Sequence, residues 1–315
     1  MVSSGSGLVM PPELLSPDAG VLLVVSFGVG IVVGLTGMGG GALMTPALVF
    51  LGIPPTVAVA NDLVAAALNK SVGAAVHYRR GSPHRRLAAL LVVSSVPFAF
   101  AGAFVVRALG ESIGDVESLL QSAIGVALLV TASTYVLRVY VTMRAAARGS
   151  GAVRADDTPP LRVVPTLLVG AMGGALVGIT SVGAGSLIMV ALLLLYPTLS
   201  GLRLVGTDLL QAIPLVMAAA VSHVIVTGVA WAVLVPLVLG GVPGTYVGAR
   251  VAHLVPQGVI RRGIAMVLTL TGLALVGVPP TYVGLIGAGL LILGPAGWAL
   301  VRSAHTTTRE GQTTS

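Results

Sequence analysis

Asp62, Asn69, Lys70 and His77 recur at intervals that place all four within an arc of roughly 100° on one helix, at about 100° per residue. Such a polar stripe on an otherwise apolar segment can hold or relay an ion. An ionisable group at the centre of a membrane helix costs about 2.5–3.5 kcal/mol on insertion scales, so the stripe should face protein or water rather than lipid. Thr207, Asp208, Gln211, Ser222 and His223 recur on a second segment of the same kind, with Pro214 expected to kink it. Asn61 and Thr207 stand at matching positions just before the paired aspartates and are candidates to hydrogen-bond a substrate. Asp62, Lys70, His77, Asp208 and His223 are candidates for a coupling or gating role, since imidazole titrates near neutrality and carboxylates can carry a proton. Plainer roles stand beside these. Asp62 and Asp208 would serve equally as helix-start caps, Lys70 as the ion-pair partner of Asp62 or a snorkelling cation, and the histidines as satisfied interface residues.

The second kind of chemistry lies in backbone groups. Residues 34–41 read GLTGMGGG and residues 178–185 read GITSVGAG, each between apolar segments. Glycine reaches backbone conformations closed to other residues, so such runs end a helix and turn main-chain groups toward a ligand. At membrane depth, irregular backbone must be buried or line a cavity, because each unsatisfied N–H or C=O facing lipid costs several kcal/mol. Gly37, Met38, Gly39, Gly40 and Gly41, with Ser181, Val182, Gly183 and Gly185, are therefore candidate substrate contacts, together with Asn61, Thr207 and Gln211. Helix amino ends exposed at such breaks suit an anion. Gly170, Gly174 and Gly178, spaced by four, read instead as a close-packing stripe.

The elements that position these residues follow from composition. Of 315 residues, 56% are hydrophobic and 9% are charged, against about 25% charged in a soluble domain. Apolar runs of about 20 residues without strand-like alternation indicate an all-α, polytopic integral membrane protein. The net charge of +7 comes from arginines clustered in loops, which marks cytoplasmic loops rather than nucleic-acid binding. There is no cysteine, which excludes disulfides and thiolate metal sites. No nucleophile–base pair or HExxH motif suggests an enzyme, the two histidines lie too far apart to share a metal, and no cofactor is expected. Residues 1–18 carry no Lys or Arg, so a cleaved signal peptide is not expected.

Apolar segments fall at about 19–36, 42–53, 56–78, 87–107 and 118–141, then at 163–180, 186–196, 202–226, 230–252, 260–277 and 281–302. The segments 42–53 and 186–196 are too short to span a bilayer upright and read as half-helices, so nine to eleven membrane segments are expected. The chain divides into an N-terminal segment 1–18, a first repeat 19–141, a cytoplasmic linker 142–162, a second repeat 163–277, an added helix 278–302 and a polar tail 303–315. Gly34 pairs with Gly178 at an offset of 144, and Asp62, His77, Pro97 and Gly102 pair with Asp208, His223, Pro243 and Gly248 at 146. The basic loop YRRGSPHRR at 78–86 has an uncharged counterpart near Gly228, whereas the acidic loop with Glu111, Asp115 and Glu117 corresponds to Arg250, Arg261 and Arg262. By the positive-inside rule the copies are expected to be inverted, with five crossings each. Inverted repeats with broken helices are the architecture of many secondary transporters, with the two breaks meeting near mid-membrane.

At these residues the chain resembles the sulfite exporter TauE/SafE family, also called the toluene sulfonate uptake permease family. The motifs are GLTGMGGGALMTPALVFLGIPPTVAVAND, HYRRG at 77–81 and PFAFAGA at 97–103, repeated as GITSVGAGSLIMVALLLLYP, GTDLLQ and PGTYVGAR, over about residues 20–277. Where family members often have Gly-Thr-Ser, this chain has Ala60, Asn61 and Asp62. The resemblance implies a plasma-membrane carrier of sulfite, sulfonates, sulfoacetate or similar small anions, and allows a homodimer. The expected function is alternating-access transport of a small sulfur-containing anion, with the lipid bilayer as surroundings and protons as the coupling ion. A metal-ion or Na⁺ carrier using Asp62, Asp208, Asn61 and His77 is the alternative, and a non-transporting assembly factor is another.

Overall fold

The computed structural model describes residues 17–36, 41–77, 83–147, 160–199, 201–252, 254 and 257–291. It is all-helical over these residues, as expected. Ten helices follow in order: α1 Pro17–Thr36, α2 Gly41–Phe50, α3 Pro55–His77, α4 Arg85–Ile113, α5 Val116–Ala147, α6 Val163–Thr180, α7 Ala184–Leu195, α8 Gly201–Val226, α9 Trp231–Val251 and α10 Gln257–Leu275. A further apolar helix, α11, covers Pro280–Leu291. Six of these are long and apolar enough to cross a membrane. α2 and α7 have 10 and 12 residues, about 15 and 18 Å at 1.5 Å per residue, roughly half the hydrocarbon thickness.

Two boundaries differ from expectation. α4 runs six residues beyond its expected end, to Ile113, and takes Glu111 into its last turns, where it pairs with Arg107. α5 continues to Ala147, so the first residues of the expected linker are helical. Thr142, Met143, Arg144, Ala145, Ala146 and Ala147 contain no glycine or proline, and most are strong helix formers, so leaving the apolar run does not end the helix there.

Glycine stripes set the packing. α6 lies against α4, and a Cβ on Gly174 or Gly178 would overlap the carbonyl oxygens of Ser95 and Ala99 respectively. α1 lies against α9 in the same way: a Cβ on Gly30 or Gly34 would overlap the carbonyl oxygens of Gly241 and Thr245. Each residue of the second pair of contacts stands 144 or 146 residues from its counterpart in the first, so one contact is made twice at the sequence offsets of the repeat. Without side chains on one surface the backbones approach closely, and dispersion replaces the hydrophobic driving force that lipid cannot supply. Residue numbers rise together along both interfaces, so α1 is parallel to α9 and α4 to α6. α6 and α7 form a hairpin, with the Tyr196 hydroxyl 3.0 Å from the Arg162 amide and 2.7 Å from Thr166 Oγ1. These directions are compatible with an inverted duplication of five crossings per copy.

The helices enclose a core in which Leu63, Leu91, Ile124, Leu128, Ile188, Leu192 and Leu215 are fully buried. The outer surface carries Val24, Val93, Phe98, Ile225 and Leu239, all exposed, as a lipid-facing surface requires.

Candidate substrate site

α6 ends where Ser181 adopts a left-handed conformation, φ 61°, and donates its amide to Val177 O at 2.8 Å. A non-glycine residue held there costs of order 1–3 kcal/mol, so surrounding contacts must fix it. Two residues later Gly183, φ 99°, caps the amino end of α7 and, as glycine, offers it no side-chain hydrogen bond. The carbonyl end of one helix and the amide end of the next therefore share one break, and with them a partial negative and a partial positive charge.

The start of α2 meets this break. Gly37, Met38, Gly39 and Gly40 lie outside the described residues, but Gly41 opens α2 directly beside Ser181. A Cβ on Gly41 would overlap the Ser181 carbonyl oxygen, so this glycine is required by close approach.

Asp62 ties α2 to the break at Ser181. Its Oδ2 accepts from Thr45 Oγ1 of α2 at 2.5 Å and from Ser181 Oγ at 2.8 Å. All three residues are buried. Asp62 lies seven residues into α3 and Asp208 equally far into α8, so neither caps a helix start; the reading of both as caps fails because the helices begin earlier, at Pro55 and Gly201. The start of α3 is capped instead by Glu117, which accepts from Thr56 N at 3.0 Å and Thr56 Oγ1 at 2.5 Å. Nor do Asp62 and Lys70 form a direct ion pair among the described residues. Lys70 is half-buried and is attracted by both Asp62 and Asp208.

The remaining candidates divide. Asn61 is buried; its Nδ2 donates to Val57 O at 2.8 Å and its Oδ1 has no partner. Gln211 is likewise buried, donating Nε2 to Asp208 Oδ1 at 3.0 Å and leaving Oε1 without a partner. Thr207, the repeat counterpart of Asn61, is occupied: it donates to Arg203 O at 2.7 Å and accepts from His84 N at 3.0 Å, joining α8 to the start of α4. His223 Nε2 lies 2.7 Å from Gly178 O, so that nitrogen carries a proton and satisfies a carbonyl in the last turn of α6. Pro214 sits inside α8, whose helix continues through it. Val182 is buried between the breaks, its amide donating to Thr180 Oγ1 at 3.2 Å. Gly185 belongs to the first turn of α7. His77 is the last residue of α3, and its side chain lies outside the described residues.

Thr45 escapes sequence reasoning. Its counterpart 144 residues on is Met189, so the repeat gives no hint, and a threonine in an apolar half-helix looks like filler. Only its proximity to Asp62 marks it.

The model of the family described as Sulfite exporter TauE/SafE matches residues 22–275. The chain is 29% identical over 254 residues to a protein of Bacillus subtilis (strain 168) named Probable membrane transporter protein YjnA, covering 81% of this chain and 98% of that one. It is 26% identical over 256 residues to a second protein of the same organism, Probable membrane transporter protein YdhB, covering 81% and 99%. No solved structure matches this chain.

Proposed function

The chain belongs to the sulfite exporter TauE/SafE family and is thus a multi-pass membrane transporter; from that premise we propose that it carries a small, sulfur-containing oxyanion across the plasma membrane by alternating access. The observation that supports this reading is the contact of Gly41 with Ser181, which sets the start of α2 against the buried break before α7. Main-chain amides at the amino ends of α2 and α7 are the anion ligands, since helix amino ends offer unfilled donors and partial positive charge. An inverted duplication supports alternation: each copy can close one side of a shared centre.

Asp62 is the coupling group. Its carboxylate receives hydroxyls from α2 and from the second break, so gain of a proton changes what holds the two halves together. His223 is engaged with Gly178 and serves better as a fixed cap than as a gate.

A second reading has one observation in its favour: the unpartnered oxygens of Asn61 and Gln211 accept hydrogen bonds or coordinate cations and do not donate. Flux into proteoliposomes decides between them. Movement of sulfite, sulfonates or carboxylates, enhanced by a pH gradient, supports the anion carrier. Movement of Na⁺ or a divalent cation with no anion dependence replaces it.

A further inference from the structure

We infer that Thr131 of α5 supplies a side-chain contact to the transported anion, its hydroxyl donating to an oxyanion held at the amino end of α7; this rests on the anion-carrier reading above. Thr131 is 1% exposed, and its Oγ1 has no hydrogen-bond partner. Ser95 and Thr245 share this feature, but most helical hydroxyls of this chain do not. Ser133, Thr134, Thr166, Thr180 and Thr269 all return their hydroxyl to a carbonyl three or four residues back. Such back-bonding is the ready local option for a hydroxyl in a helix. Thr131 forgoes it and faces the second break: a Cβ built on Gly183 would lie 3.4 Å from Thr131 Oγ1.

Gly183 is the residue that caps α7, a helix of 12 residues, and as glycine it gives the amino end no side-chain cap of its own. An orphan donor and a helix amino end left uncapped by its own N-cap residue therefore adjoin. Buried polar groups in native proteins nearly always have partners, so both are completed by one ligand that accepts hydrogen bonds and carries negative charge. Thr131 also differs from Asn61 Oδ1 and Gln211 Oε1, because a hydroxyl can donate where those oxygens cannot.

Thr131 faces the break before α7, while the carboxylate of Asp62 holds Thr45 of α2, so the anion is seated toward α7 and α5 and Asp62 occupies the side toward α2 and α3.

Full-length protein titrated with sodium sulfite while thermal unfolding is followed tests this, with sodium chloride as the control. Thr131→Val and Thr131→Ala are expected to weaken apparent sulfite affinity on the order of tenfold, the loss of one hydrogen bond to a charged group. Thr131→Ser should stay within about twofold of the parent. Unliganded Thr131→Val should unfold at the same temperature or higher, because it removes a hydroxyl that protein does not satisfy. Sulfite binding by Thr131→Val equal to that of the parent overturns the assignment and leaves the anion reading standing. Loss of folding in both Thr131→Val and Thr131→Ala without ligand shows a structural role and also overturns it. A parent protein protected by no oxyanion sinks the anion reading and this subsite together.

Discussion

Ser181 donates its hydroxyl to Asp62 at 2.8 Å across 119 residues of sequence, and the same carboxylate oxygen takes Thr45 at 2.5 Å. Ser181→Ala and Thr45→Val each remove one hydrogen bond to a buried charged group, worth about 1.5–3 kcal/mol. Both should lower the unfolding temperature in detergent. Asp62→Asn keeps an acceptor for one hydroxyl and should fold, but its uptake should no longer respond to a pH gradient. Gradient-driven flux at the parental rate in Asp62→Asn would remove Asp62 from coupling.

Asn61 and Thr207 occupy matching positions in the repeat but not matching environments. Asn61→Ala should cut flux strongly with a stability change under about 1 kcal/mol, since only a local bond to Val57 O is lost. Thr207→Ala leaves the His84 amide without its acceptor and should chiefly cost stability, about 1–3 kcal/mol. Paired thermal-unfolding and flux measurements separate the two, and equal effects on both readouts would refute the division.

Gly30 and Gly174 make duplicated contacts, so Gly30→Leu and Gly174→Leu should damage the protein alike, each forcing α1 from α9 or α6 from α4. Gly20, with nothing within 4 Å of a built Cβ, is the control, and Gly20→Leu should be neutral. The readout is the yield of folded protein by size-exclusion chromatography.

The chain has no cysteine, so single-cysteine variants report sidedness cleanly. α4 and α8 begin side by side, and the proposed inversion puts the end of α9 on that same side, which predicts that Ser82→Cys and Leu254→Cys label from one face of the membrane. Asp115→Cys and Gly228→Cys should label from the other. Labelling of Ser82→Cys and Leu254→Cys from opposite faces would contradict the proposed inversion.

Glu117 closes the start of α3 from the start of α5. Glu117→Ala should cost about 1 kcal/mol, the usual value of a lost helix cap, with flux retained once the protein is folded. Chemical or thermal unfolding measures it.

Much of this architecture was legible because lipid simplifies the rules: apolar runs become helices, and each expected segment falls on a helix, with α4 and α5 running longer than expected and α11 described through Leu291. The break at 181–183 was legible from its glycines, and Gly41, the last glycine of the first run, packs directly against it. Partnerships across the chain were not legible. Nothing in the spacing of Thr45 and Asp62 tells which hydroxyl reaches the carboxylate, because that depends on the rotation of α2 about its own axis. The same applies to His223, whose partner, the Gly178 carbonyl 45 residues earlier, nothing in the spacing indicates. Helix ends were missed where polar helix formers prolong an apolar run, as at Ala147.

α1 finds its broadest partner in α9, which begins about 200 residues later at Trp231. At synthesis rates of about 5–20 residues per second, α1 waits on the order of 10–40 s in the bilayer before the surface that fits its glycines exists. The first half must therefore linger as a lodger in lipid, open to premature pairing or proteolysis, and neither half made alone is a finished unit. Co-expression of the halves as separate polypeptides would reveal whether that wait can be served on two chains instead of one.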